Sequence, residues 1–337
     1  MIRLRRWKRM VIPMPDVVVH TVFGQDVLKK LPPEVRQEIL PDPYRFALYG
    51  PDPWFAYQPG AHREGRGRRM HTTRTGDFLT ALAIRAREGS ARREMYSYLA
   101  GFLCHYALDA ATHPYIIRRT TTEFTTPRAH MGFEHRLDVL EMERAGTASE
   151  KHPVTRHYFR PVSLPKVMEA DLNQVYESIY GWKNCFRILN RSIRIFRLFF
   201  RVMESSSGIP ARLARRRKQA YGLRALTYTV TDFADADPEN RKHSEWAHSH
   251  DESILSRESF PELKEKALKR AVELIRAAYR YIYTDGFPLE ALREQIGNDS
   301  YLSGLPVDDP RCLTVDSMLP PAGSAEANGT GPEKSAP

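Results

Sequence analysis

His105, Asp109 and His113 stand at a strict four-residue spacing inside the apolar stretch YLAGFLCHYALDAATHPY. Four residues advance a helix by about 6 Å and return the side chain to nearly the same face. The trio therefore forms a column, a carboxylate between two imidazoles, on a helix that is otherwise apolar and that Pro114 is expected to interrupt. Burying three such groups is costly unless a cation takes up their lone pairs. A central carboxylate can also touch more than one cation, as in hydrolytic sites whose metals lie roughly 3.5–4 Å apart. The spacing reads as a multinuclear metal site.

The pattern recurs downstream in HMGFEH, where His130 and Glu134 are again four apart. His135 is ambiguous: it either replaces His130 as a ligand or donates a hydrogen bond that orients Glu134. Upstream, Asp52 sits between Pro51 and Pro53. It is either aimed inward by that rigid backbone or an ordinary turn residue. His71, in RRMHTTRTGDFL, comes just before a helix whose first turn Thr75 or Thr73 would cap, and His20 follows a short apolar run in DVVVHTVFG. Each is weak alone, yet seven of the twelve histidines fall in the first 135 residues. A core-residue explanation has to be invoked separately for each.

Composition limits the choice of metal and partner. The cysteines Cys104, Cys185 and Cys312 are few and far apart, so neither a disulfide framework nor a CxxC zinc site is expected. Any metal must be held by His and carboxylates, a donor set that suits zinc and also manganese or iron. A net charge of +10 favours anionic partners without choosing among them. No apolar run approaches the roughly 20 residues needed to span a bilayer. The start, MIRLRRWKRMVIPMPD, is basic, but its apolar part is short and broken by Pro13 and Pro15. It reads as a basic N-terminal extension over residues 1–13 rather than a secretory signal, so a cytoplasmic location is expected.

Helical patterns dominate, over roughly 24–40, 76–89, 92–112, 130–145, 166–203, 210–232 and 261–283, with few runs of strand type. The expected fold is all-α, a single multi-helix domain over residues 14–310, with a low-complexity, disordered tail over 318–337. In the 185–203 helix, Arg187, Arg191, Arg194 and Arg201 share a stripe with Arg197 at its edge. Ile188, Ile195, Phe199 and Val202 are expected largely opposite. Such a helix is either a solvated surface element or one that faces a membrane or phosphate. The cluster ARRRK around Arg215 and Arg217 reads as a solvated linker.

HTVFG, ALYGPDPWF, MHTTRTGDFL, YLAGFLCHYALDAATHPYI and HMGFEHRLDVLEMER together resemble the zinc-dependent phospholipase C family, which shares an α-helical trinuclear zinc fold with the S1/P1 nucleases. The resemblance is specific over about residues 14 to 145. It continues more weakly through the helix after RESF and the segment NDSYLSGL. It implies that Asp52, His71, His105 and Asp109 hold one zinc, that His113, His130 and Glu134 hold a second, and that His20 joins Asp109 on a third. In characterised family members the third zinc also takes the amine and carbonyl of a mature N-terminal Trp. Here Trp7 lies inside the basic segment, so residues 1–13 are either an extension or lie upstream of a start at Met14, Met1 and Met10 being the other candidate starts. From Met14, removal of Met would leave the imino group of Pro15 five residues before His20.

What the resemblance implies is a phosphodiester hydrolase with two or three zinc ions. It would cleave a phospholipid or related phosphate ester on the glycerol side of phosphorus, with Asp52 orienting the attacking water. Peripheral contact with anionic membrane would fit that substrate. Tyr49, Trp54, Phe55 and Tyr57 either pack the core or offer aromatic faces to a choline-like headgroup. The alternatives are a single-strand nuclease, which needs an aromatic base-stacking pocket beside the metals, and a non-catalytic, metal-stabilised helical scaffold that binds anionic membrane or a partner.

Overall fold

Residue 92 begins a helix that runs without a break to residue 122, and the rest of the chain is arranged around it. The computed structural model describes residues 17–57, 65–122, 129–147, 157–203 and 237–312. Its helices are α1 (Val17–Lys30), α2 (Pro33–Arg36), α3 (Pro41–Ala47), α4 (Pro53–Tyr57), α5 (Arg66–Thr72), α6 (Thr75–Glu88), α7 (Arg92–Thr122) and α8 (Ala129–Arg144). After a 3-10 turn at Lys166–Met168 come α9 (Glu169–Tyr180), α10 (Cys185–Met203), α11 (Phe260–Tyr283) and α12 (Leu289–Ile296). Among the described residues the only sheet is an antiparallel ribbon of β1 (Trp246–His248) and β2 (Asp251–Ser256). The fold is all-α, as expected. No helix of the described residues is long and apolar enough to cross a membrane.

α7 is apolar on every side because every side is covered. α3, α6 and α11 pack along it, and α1, α8 and β1 meet it as well. Tyr98, Phe102, Tyr106 and Tyr115 are all fully buried along its length. This is where the expected interruption at Pro114 fails. The helix passes through Pro114, which has no N–H to give the carbonyl of Ala110 one turn back. Gly304 approaches that carbonyl closely: an added Cβ there would come within 2.3 Å of the Ala110 oxygen.

Other boundaries move for local reasons. The 24–40 pattern divides into α1 and α2 because Pro32 and Pro33 follow Leu31, and a residue before proline is biased away from helix. The 166–203 pattern divides where Gly181 and Asn184 both take positive φ, 73° and 57°. His71 comes just before α6, as expected, but lies in a short helix of its own, α5, and Arg74, not a threonine, takes the cap position of α6. Thr75 donates to the carbonyl of Asp299 at 2.8 Å, tying a distant loop instead of capping its own helix.

α10 corrects one further expectation. Its buried face is Phe186, Leu189, Ile193, Phe196 and Phe200. Ile188 is only half-buried and Ile195 is exposed, both close to the arginine stripe rather than opposite it. Residues 1–13, the 210–232 helix with Arg215 and Arg217, His62 and the 318–337 tail lie outside the described residues, as do the side chains of Phe199 and Val202.

Candidate metal centre

The column foreseen on α7 is present, and Asp109 is its hub. The carboxylate is 3 % exposed. Its Oδ1 lies 3.2 Å from His20 Nε2 of α1, and its Oδ2 lies 3.0 Å from His105 Nε2 and 3.5 Å from His113 Nδ1. His71 Nε2 of α5 stands 3.8 Å from the same Oδ2. Residues from three helices thus meet on one side chain.

Asp52 reaches the group from the turn before α4. Its Oδ1 is 3.3 Å from His71 Nε2 and its Oδ2 is 3.8 Å from His105 Nε2. Gly50 makes this approach possible. It has φ +46, and a Cβ there would lie 2.3 Å from the His105 ring, so the turn can rest against the imidazole only if residue 50 has no side chain. The Gly-Pro-Asp-Pro run therefore serves packing as well as turning. Phe55 follows, with its ring 5.5 Å from that of His71.

The second cluster joins α7 to α8. Glu134 Oε1 lies 3.3 Å from His113 Nε2 and 3.0 Å from His130 Nε2. The rings of His113 and His130 are stacked 5.5 Å apart. His130, whose side chain is 39 % exposed, is the most open of the eight residues, whereas Glu134 is buried. His135 is outside this cluster. Burial, with Arg136 adding to it, holds its imidazole down at about 3. Three sets of donor atoms each lie within 4.8 Å of one another: His20, His105 and Asp109; Asp52, His71 and His105; His113, His130 and Glu134. All eight residues singled out in the sequence fall into these sets, with His105 in two of them.

The hydrogen bonds of the imidazoles test whether cations fit. Nδ1 of His71 meets the Gly67 carbonyl at 2.8 Å, Nδ1 of His105 the Leu48 carbonyl at 3.1 Å, and Nδ1 of His113 the Tyr301 carbonyl at 2.8 Å. A carbonyl only accepts, so each Nδ1 carries the hydrogen and each Nε2 of a neutral ring presents a lone pair. Those lone pairs face carboxylate oxygens. His105 Nε2 and Asp52 Oδ2 are buried and find no well-aligned hydrogen-bond partner among the described residues. Lone pairs aimed at carboxylates require a proton or a metal between them, and a carbonyl behind each ring is the usual support of a metal-bound histidine. The residues present fit divalent cations.

Charge says the same. Burial alone would raise the Asp109 carboxyl, but the imidazoles of His105 and His113 outweigh it and hold Asp109 well below the usual carboxylate range. Burial also opposes a charge on His113. The carboxylates Asp109 and Glu134 prevail and lift it to about 10. Glu134, which burial would raise, is drawn down to about 2 by His130 and His113. Without metal, protons must take the cations' place.

Two contributors were not foreseen. The 298–305 segment, noted only as a weak likeness, holds both clusters. The Tyr301 carbonyl takes the His113 ring, while the Tyr301 N–H donates to the His71 carbonyl at 2.9 Å. Asn298 Oδ1 accepts from Gly76 N at 3.2 Å, anchoring the segment on α6. Backbone groups carry most of this, and backbone groups leave no residue signature. Asp138 is the other. One turn beyond Glu134 on α8, it accepts from Val18 N and Val19 N at 2.9 and 2.8 Å. It thus caps in trans the helix that carries His20.

The four aromatics near Asp52 divide. Tyr49 and Trp54 are buried in the core. Trp54, Tyr57 and Trp182 surround the guanidinium of Arg66, whose carbon is 4.9, 4.9 and 4.7 Å from their ring centres. Core packing thus holds for Tyr49 and Trp54, and the faces of Trp54 and Tyr57 that could meet a cationic headgroup are turned to a cation of the chain itself.

A family model described as zinc dependent phospholipase C matches residues 19–186. No curated protein and no solved structure matches the chain.

Proposed function

Over residues 19–186 this chain belongs to the zinc-dependent phospholipase C family, and from that we propose a zinc-dependent phosphodiester hydrolase acting on phospholipids or related phosphate esters. The observation that carries the reading is Asp109, one carboxylate set among His20, His71, His105 and His113. Asp52, His71, His105 and Asp109 would hold one zinc, His113, His130 and Glu134 a second, and His20 with Asp109 a third. The domain that carries them is read as residues 14–310.

Bound there, zinc would supply a hydroxide from water near neutral pH and neutralise the phosphoryl oxygens. The chain's own residues do the rest. Asp52 orients the attacking water, for which its buried Oδ2 is suited because it accepts no hydrogen bond from the described residues. Gly67, Leu48 and Tyr301 hold three imidazoles in one tautomer through their carbonyls. The half-open His130 marks the side from which a phosphate ester enters. Among the described residues three carboxylates, Asp52, Asp109 and Glu134, line the site, so two divalent ions leave them net positive, as an anionic substrate requires.

The test is hydrolysis of a chromogenic phosphocholine ester by zinc-loaded protein, run beside single-stranded DNA. Cleavage of the ester, lost on chelation and restored by zinc, is the expected result. Cleavage of DNA alone would move the chain to the nuclease reading. Silence on both substrates with full zinc would leave a metal-stabilised scaffold.

A further inference from the structure

α10 presents an outer face that no other described element packs against. Its inner face of Phe186, Leu189, Ile193, Phe196 and Phe200 is buried, against α4, which begins just after Asp52, and against α9. On the outer face, Arg187, Arg191, Arg194, Leu198 and Arg201 fall within one stripe, with Leu198 at its centre and Ile195 at its border. The four arginines are exposed. Leu198 is 60 % exposed and Ile195 40 %.

The pairing is as informative as the exposure. Arg187 meets Glu169 at 3.1 Å. Arg194 reaches only the carbonyl of Asn190 in its own helix, at 2.8 Å. Arg191 and Arg201 have no carboxylate partner among the described residues. An ordinary solvated face intersperses both signs of charge and keeps leucine out. This one carries a single sign around an uncovered leucine.

We infer that this face docks the protein on an anionic phospholipid surface, with Arg191, Arg194 and Arg201 meeting lipid phosphates and Leu198 entering the acyl boundary. Guanidinium groups pair with phosphate oxygens in bidentate fashion, and a helix with a cationic face and an inserted apolar residue lies in the plane of the interface. Charge complementarity selects the occupant: three arginines with no carboxylate partner among the described residues call for a dense array of anions, and the leucine among them calls for hydrocarbon just beneath that array. The inference rests on the phospholipid-hydrolase reading only in that such a surface would also bear the substrate.

The experiment sediments the zinc-loaded full chain with vesicles of phosphatidylcholine, with and without phosphatidylglycerol. Binding should require phosphatidylglycerol and weaken as salt rises. Arg191→Ala, Arg194→Ala and Arg201→Ala combined should lower vesicle affinity about a hundredfold, the loss expected when three arginines leave a membrane surface. Leu198→Ser should cost about tenfold and leave the salt dependence unchanged. The control combines Lys30→Ala, Arg276→Ala and Arg293→Ala, exposed on other helices. It removes the same charge and should bind as the parent does.

Equal losses from the two triple variants would overturn the inference, as would binding indifferent to phosphatidylglycerol. Hydrolysis of the soluble phosphocholine ester separates the two readings. Vesicle binding without hydrolysis would refute the enzyme and leave the surface standing. Hydrolysis without vesicle binding would do the reverse.

Discussion

His105 Nε2 and Asp109 Oδ2 lie 3.0 Å apart on adjacent turns of α7, yet the His105 nitrogen finds no well-aligned hydrogen-bond partner among the described residues. Two acceptors at that separation, both buried, repel unless a cation sits where both lone pairs point. Asp109→Asn keeps the shape and removes the charge. We expect zinc per chain, counted by elemental analysis, to fall by at least one atom, and the melting temperature to fall with it. Ester hydrolysis should drop by about two orders of magnitude or more, the scale seen when a major electrostatic contributor is lost. Undiminished zinc in this variant would reject the assignment of Asp109.

Gly50→Ala tests the turn that brings Asp52 to the site. The new Cβ would meet the His105 ring at 2.3 Å on a backbone with φ +46. The combined strain and overpacking should destabilise by about 1–3 kcal/mol and lower zinc occupancy. Gly146→Ala is the comparison: φ there is +65 with nothing within 4 Å. It should cost stability through backbone strain alone and leave zinc content unchanged.

Asn298→Ala tests whether the C-terminal segment serves the metals. It removes the acceptor of the Gly76 N–H at 3.2 Å and loosens the strand of chain whose Tyr301 carbonyl orients His113. Zinc affinity, measured by competition with a chelator, should weaken about 10–100-fold, as when a partner behind a metal ligand is lost. A purely structural role would lower the melting temperature and spare zinc affinity.

Acidity should act oppositely on the empty and the loaded protein. With zinc stripped, His113 sits near 10, raised above its ordinary 6.5, so its contribution to stability is complete below about 6.5 and fades as pH climbs through 10. Glu134 sits near 2, lowered from 4.5, so its contribution is complete above about 4.5 and fades as pH falls through 2. The stripped protein should therefore draw most from this pair between about pH 4.5 and 6.5, as read by thermal denaturation across pH. Zinc must displace the His113 proton, so its affinity should rise about tenfold per pH unit through neutrality. Calorimetry in buffers of different ionisation enthalpy counts the released proton.

The spacing of His105, Asp109 and His113, and of His130 and Glu134, was enough to place five donors on helical faces, because a helix repeats within a few residues and that period is written locally. The family motifs added Asp52, His71 and His20, which no local pattern could connect: they approach Asp109 from α1, from a turn and from α5. Choosing between His130 and His135 at the second cluster likewise needed the tertiary structure. Adjacent residues point about 100° apart on a helix, and only the placement of α8 against α7 decides which of them faces His113.

What remained hidden was of two kinds. The carbonyls of Gly67, Leu48 and Tyr301 orient the imidazoles, and every residue type has a carbonyl, so no sequence pattern marks them. Arg66 fills the aromatic faces of Trp54, Tyr57 and Trp182, and Leu198 stands uncovered among arginines, through contacts that depend on which elements pack and which do not. The chain by itself determined an all-helical fold and the chemical kind of donors at its centre, since periodicity and side-chain chemistry are local properties. The distances at which those donors meet, their tautomers and the exposure of Leu198 among the arginines of α10 were decided by tertiary structure, because they depend on which elements, far apart in the chain, pack together and which do not.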